Sequence, residues 1–182
     1  FAGRSIAMQD VTYNKAYREG MPQSIQVDHV PHYNSKNPEN AIKETIEALD
    51  NLIATNGNVY CGLTIELIQG EAGFIFGTKE YYKAICEWSK KHGIYVWIDE
   101  VQSFTRTTEM FAYQMFELDE YVDVVTIGKV LQAAGTFYTE ELNPNAGLIA
   151  GTFNGSISSL NAGKATVRYL SEGNFYGEKG RI

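Results

Sequence analysis

Three short apolar runs, each closing on a charged residue, constrain this chain more than any other feature. Residues 58–68 (NVYCGLTIELI) carry Glu66 near their end, residues 94–98 close at Asp99, and residues 122–127 run into Gly128-Lys129. Compact apolar runs of this kind suit strands covered on both faces, as in a parallel sheet. Helical stretches lie between them. Asn37-Pro38-Glu39 reads as a helix start, and Ile42, Ile46, Leu49 and Ile53 follow on one face before Gly57. Thr78 can cap a second helix, with Tyr81, Ile85 and Trp88 on its buried side and Gly93 at its end. Further helices are expected around 108–117 and over 156–170, the latter weakened by Gly163. Alternating apolar positions over 22–33 read as a short strand, and 136–139 as another. Strands alternating with helices predict an α/β fold with a mainly parallel sheet and right-handed crossovers. Ligands bind beyond the carboxyl ends of such strands, which places Glu66, Asp99 and Lys129 on one rim.

Composition narrows the function classes. The 182 residues suffice for one domain with a sizeable core, and no apolar run approaches the length of a bilayer span. The net charge is −7 and the 15 basic residues are scattered, which disfavours nucleic acid as a partner. Cys61 and Cys86 sit in apolar sequence without a CxxC partner and read as buried, unreactive thiols. His29 and His32 lack a third ligand nearby, so no metal site is expected. Neither Gly128-Lys129-Val130 nor Gly163-Lys164-Ala165 completes a P-loop, although residues 95–100 are like a Walker B strand. No GxGxxG follows a strand, and no GxSxG elbow occurs.

A lysine at the end of a buried strand has two readings. Lys129 either snorkels to solvent or supplies an amine that forms a Schiff base with a carbonyl cofactor. Asp99 favours the second, because a buried carboxylate needs a partner and a pyridinium nitrogen is one.

The residues around both then resemble the class III (omega) aminotransferases, which use pyridoxal 5′-phosphate (PLP). Asp99-Glu100-Val101-Gln102, with Arg106-Thr107 and Met110-Phe111-Ala112, is similar to the family signature. Glu66 to Gly73 (ELIQGEAG) is similar to its E-P-x-Q-G-E-G-G loop, Thr126-Ile127-Gly128-Lys129 to its cofactor-lysine segment, Phe1 to Ser5 to its F-H-G-R-T turn, and Gly151-Thr152-Phe153 to its G-T-F. The matches follow family order across nearly the whole chain. The resemblance implies the large domain of PLP fold type I, a three-layer α/β sandwich. It implies that Lys129 holds the cofactor and moves the substrate proton, that Asp99 pairs with the pyridinium nitrogen, and that Gln102 lies near the ring's phenolic oxygen. Val101 and Phe1 would pack on the two ring faces. Glu66 would lie on the substrate side, and Thr152 would reach the phosphate of a neighbouring subunit's cofactor. The implied function is transfer of an amino group, from an omega-amino or basic amino acid, to a 2-oxo acid. Alternatives are an aminomutase, racemase or decarboxylase on the same fold, or a non-catalytic homologue. A cytoplasmic or organelle-matrix homodimer with shared active sites goes with this reading.

Three departures stand out. Ser103 to Thr108 (SFTRTT) lacks the glycines that flank the family arginine and is one residue shorter. Val130 to Gly135 (VLQAAG) replaces the common A-L-G-G-G and is closer to the lysine- and GABA-aminotransferase branches. Ala2 stands where histidine is common. The family also has an N-terminal segment with a phosphate-binding turn, and a C-terminal small domain with a substrate-binding arginine. Residues 1–182 are therefore expected to be a single large-domain portion without these parts, and inactive alone.

Overall fold

The computed structural model describes residues 1–152, 154–177, 179 and 180. They form two compact units, one of Phe1–Val59 with Gln69–Gly77, the other of Tyr60–Ile68 with Thr78–Ile182.

The first unit holds helices α1 (Ile6–Val11) and α2 (Pro38–Asn56), and a two-stranded sheet of β2 (Ile68–Gln69) and β3 (Ile75–Phe76), whose first residue belongs to the second unit. Helix α2 starts with Pro38 in its first turn and stops at Gly57, as its sequence predicts. Its buried residues are Ala41, Thr45 and Leu49, so the inward face lies to one side of the isoleucine stripe. The strand expected over 22–33 does not form. No strand pairs with it among the described residues, and side-chain hydrogen bonds hold it at two points. Asp10 Oδ2 accepts hydrogen bonds from Ser24 N–H, Ser24 O–H and Ile25 N–H, and Thr45 O–H donates to the Pro31 carbonyl. Alternation alone does not make a strand when no second strand is there to pair with it.

The second unit is built on a four-stranded sheet of β1 (Gly62–Ile65), β4 (Tyr95–Asp99), β5 (Val124–Ile127) and β6 (Gly135–Tyr138), in that spatial order. The β1–β4 and β4–β5 pairs are parallel, and β6 runs antiparallel to β5. The expected strand over 58–68 is split, because the chain leaves the sheet at Glu66 and Leu67. Val96 and Ile98 of β4 are fully buried. Helix α3 (Lys79–Lys91) starts on the Thr78 cap, whose hydroxyl accepts from Tyr81 N–H, and packs against β4. It buries Tyr81, Tyr82, Ile85, Cys86 and Trp88. Asp123 ties three elements together. Its carboxylate accepts Val96 N–H at 2.7 Å and pairs with Lys90 Nζ at 2.6 Å.

Cys86 lies where an unreactive thiol should, and burial pushes its pKa up to about 12. Cys61 is exposed, contrary to its apolar sequence surroundings. It precedes β1, the edge of the sheet, where the outward positions are left uncovered.

The helix expected over 108–117 shrinks to one turn, α4 (Ala112–Met115). Glu117 adopts a left-handed φ of 53°, which ends it. Helix α5 (Ile157–Glu172) forms in spite of Gly163, and packing explains why that position is glycine. A Cβ there would lie 3.0 Å from the Leu131 carbonyl oxygen, and Leu131 belongs to the 3₁₀ turn Lys129–Leu131. Gly163→Val is therefore expected to cost about 1–3 kcal/mol by overpacking and to displace the turn that carries Lys129. Urea unfolding measures the cost, and an unchanged midpoint would contradict this packing.

Candidate active site

The parallel register brings the carboxyl ends of β1, β4 and β5 to one rim. Ile65 pairs with Ile98, and Asp99 pairs with Thr126. Glu66, Asp99 and Lys129 leave these strand ends side by side, as the strand pattern predicts. Glu66 is close enough to Asp99 to raise the cost of its charge.

Lys129 follows Gly128 directly after β5 and opens the 3₁₀ turn with a φ of 49°. A left-handed lysine is uncommon and strained, and such strain collects at functional sites. Its side chain is exposed, and no hydrogen bond or ion pair engages Nζ among the described residues. A primary amine is thus presented at the rim without a partner among the described residues.

Asp99 is half-buried. Its Oδ1 accepts Val101 N–H at 3.0 Å and Thr126 O–H at 3.4 Å, and nothing among the described residues hydrogen-bonds to Oδ2. Burial is the main influence and raises its pKa above the usual carboxylate range; the Val101 N–H works against this, and Glu66 adds to it. The folded-state pKa thus lies above the unfolded value of about 3.9. Ionising Asp99 costs more in the folded chain, so its effect lowers stability as pH rises from about 4 through the folded pKa. Asp99→Asn is accordingly expected to raise the melting temperature of the cofactor-free protein at neutral pH, with the gain vanishing below about pH 4. Melting curves across pH would refute this if the variant melted lower at pH 7.

Val101 and Gln102 begin the loop after β4. A Cβ on Gly128 would lie 3.4 Å from Val101 Cγ1, so this loop lies against the lysine segment. Gln102 accepts Arg106 Nη1–H on its backbone carbonyl at 2.7 Å, and no hydrogen bond takes up its side-chain amide among the described residues. Phe1 belongs to the first unit, edge-on to Tyr17 with Arg4 over its ring. Thr152 is exposed ahead of α5, and Phe153 lies outside the described residues.

The residue that sequence reading passed over is Glu100. It is completely buried. Its Oε2 accepts Ala112 N–H at 2.8 Å and Ser103 O–H at 3.2 Å, and its Oε1 accepts Tyr113 N–H at 2.8 Å. Burial raises its pKa while the Ala112 and Tyr113 N–H groups pull the other way. Glu100 closes the loop 101–111 onto the start of α4. The signal was a second acid directly after Asp99: successive residues of a strand face opposite sides, so it cannot share the same rim.

The shortened loop without its glycines is held by its own bonds. Thr105 takes a φ of 67°, its N–H donates to the Met110 carbonyl at 2.8 Å, and Thr107 O–H donates to the Glu109 carbonyl at 2.7 Å. Phe104 anchors it in an apolar cluster with Val125 and Ile127. A cavity of about 620 Å³ adjoins this cluster, lined by Met110, Phe111, Leu131 and Phe137 among others, but by none of Glu66, Asp99, Gln102 or Lys129. No group of His, Cys, Asp and Glu suited to a metal occurs among the described residues.

Comparison with known proteins gives the family and the fold. The family model "Aminotransferase class-III" matches residues 1–181. The chain belongs to the class-III aminotransferases. It is 29% identical over 158 residues to a mitochondrial 4-aminobutyrate aminotransferase from Sus scrofa, covering 80% of this chain and 32% of that protein. It is 32% identical over 132 residues to the LysW-aminoadipate semialdehyde/glutamate semialdehyde transaminase of Sulfurisphaera tokodaii, covering 72% of this chain and 30% of the relative. An amine transaminase from an uncultivated Pseudomonas species, solved in its PLP-bound form, superposes with a TM-score of 0.83 at 21% identity, covering 95% of this chain and 44% of that one. That likeness shows the fold, an α/β sandwich with a mainly parallel sheet. The chain spans about a third of the length of the curated relatives it matches.

Proposed function

We propose that this chain is the cofactor-domain portion of a PLP-dependent aminotransferase that moves an amino group, from an omega-amino or basic amino acid, to a 2-oxo acid. The observation that carries the reading is that a Lys129 amine with no partner among the described residues and a half-buried Asp99 carboxylate stand at the ends of adjacent parallel strands. The residues present fit the cofactor. Among the described residues nothing hydrogen-bonds to Asp99 Oδ2, where burial disfavours bare charge, and a protonated ring nitrogen is the kind of partner that such an oxygen calls for.

When bound, the cofactor supplies an electron-poor ring that absorbs carbanion charge. The chain's own residues do the rest. Lys129 Nζ would hold the cofactor at its carbonyl carbon, and would then carry the proton from the substrate's amino-bearing carbon to that cofactor carbon. Asp99 would keep the ring nitrogen protonated. Val101 would hold one face of the ring and Gln102 would donate to its phenolic oxygen, and the family resemblance gives Phe1 the other face. Glu66 lies on the substrate side of the rim. In a homodimer, cytoplasmic or in an organelle matrix, Thr152 of one protomer would reach the cofactor phosphate held by its partner. No helix among the described residues is long and apolar enough to cross a membrane.

The test is made on the intact natural protein. After incubation with PLP and borohydride reduction, peptide mass mapping is expected to find the adduct on Lys129. An omega-amino or basic donor with 2-oxoglutarate is expected to yield glutamate. An adduct elsewhere, or none, would sink the cofactor assignment. Turnover of the donor without glutamate would point to a mutase, racemase or decarboxylase.

A further inference from the structure

We infer that Trp97 and Thr126 form a hydrogen-bond relay that commits one oxygen of Asp99 to the protein and leaves the other for the cofactor's ring nitrogen. The inference rests on the PLP reading above and makes both side chains positioning residues.

The sheet puts the three groups on one face. Trp97 and Asp99 are two apart on β4, and Thr126 is the residue opposite Asp99 in the parallel ladder. Trp97 Nε1 lies 3.1 Å from Thr126 Oγ1. An indole N–H can only donate, so the threonine oxygen accepts. A hydroxyl has a single proton. With the indole on one of its lone pairs, that proton is turned toward Asp99 Oδ1 at 3.4 Å. Val101 N–H reaches the same oxygen at 3.0 Å. Two donors therefore converge on Oδ1 and none among the described residues on Oδ2.

This asymmetry has two consequences. The carboxylate cannot rotate without breaking both bonds, so Oδ2 keeps a fixed direction. Both donors also favour the ionised form, and so oppose the burial and the Glu66 charge that would neutralise it. An Asp99 that lost its charge could not hold a pyridinium. The tryptophan acts through the threonine: without its N–H, the hydroxyl can turn away and offer Asp99 a lone pair.

The experiment compares two probes on the intact protein: PLP, and its 1-deaza analogue, in which a C–H replaces the ring nitrogen. Thr126→Val removes the hydroxyl at nearly constant shape, and its affinity for PLP is expected to fall about tenfold, the worth of a hydrogen bond to a charged group. Trp97→Phe should weaken PLP about threefold, and Thr126→Ser should stay within about twofold of the parent protein. The analogue should bind all four proteins alike, since it has no ring nitrogen for Asp99 to grip. Equal losses for both probes would show a merely structural role and overturn the relay, as would unchanged PLP binding in both Thr126→Val and Trp97→Phe. Should Thr126→Val fail to fold, the probe comparison in Trp97→Phe decides. If the parent protein binds neither probe, the cofactor reading itself falls and takes the relay with it.

Discussion

Lys129→Ala is expected to abolish the borohydride-trapped adduct and to lower transamination by the intact protein at least about 10³-fold, because in the proposed function one side chain would both anchor the cofactor and carry the proton. Lys129→Arg should be as inactive. It keeps the positive charge, but a guanidinium neither forms the carbon–nitrogen bond nor gives up its proton. Stability should hardly move in either variant, since the lysine is exposed and nothing among the described residues engages Nζ. The backbone adds a sharper expectation. At a φ of 49°, glycine escapes the steric cost that alanine bears, so Lys129→Gly should be more stable than Lys129→Ala by about 1 kcal/mol. Inactivity together with that gain would mark a strained position kept for chemistry. An Ala variant with more than a tenth of the parent activity would end the case for Lys129.

Glu100→Ala should have the largest effect on stability. The side chain is completely buried and accepts the N–H groups of Ala112 and Tyr113, each at 2.8 Å, and the Ser103 hydroxyl. Alanine strands two backbone donors in the interior and opens a cavity, for a loss of about 3–5 kcal/mol. Glutamine keeps the volume and one accepting oxygen, so Glu100→Gln should lose about 1–2 kcal/mol. Chemical unfolding separates the two variants. A cost below about 1 kcal/mol for the alanine variant would show that α4 and loop 101–111 do not depend on this carboxylate. Weaker cofactor binding should accompany the loss, because Val101 and Gln102 sit on the loop that Glu100 closes.

Much of this site was legible in the amino-acid order. Short apolar runs separated by amphipathic helices admit few arrangements, and parallel strands put their carboxyl ends on one rim. Glu66, Asp99 and Lys129 could therefore be placed together from spacing alone, and the ordered motifs around them supplied the family. The helix caps at Thr78 and Pro38 were legible because capping is local chemistry. The segment 22–33 misled because alternation describes a strand's faces but cannot supply its partner. The helix over 108–117 was overestimated because a left-handed Glu117 and the Glu100 carboxylate set its two ends.

What the sequence determined by itself was thus the set of strand-end charges and the family whose motifs surround them. The tertiary structure decided how each is held. Trp97 touches Thr126 only because of the β4–β5 register, and Glu100 meets Ala112 and Tyr113 only after the loop has returned. Gly163 reads as a flaw in a helix until the Leu131 carbonyl is found 3.0 Å from where its Cβ would be. Periodicity and capping act over a few residues and can be read along the chain. Side-chain hydrogen bonds to groups some 10 to 30 positions away exist only once the sheet and the returning loop have fixed who stands opposite whom.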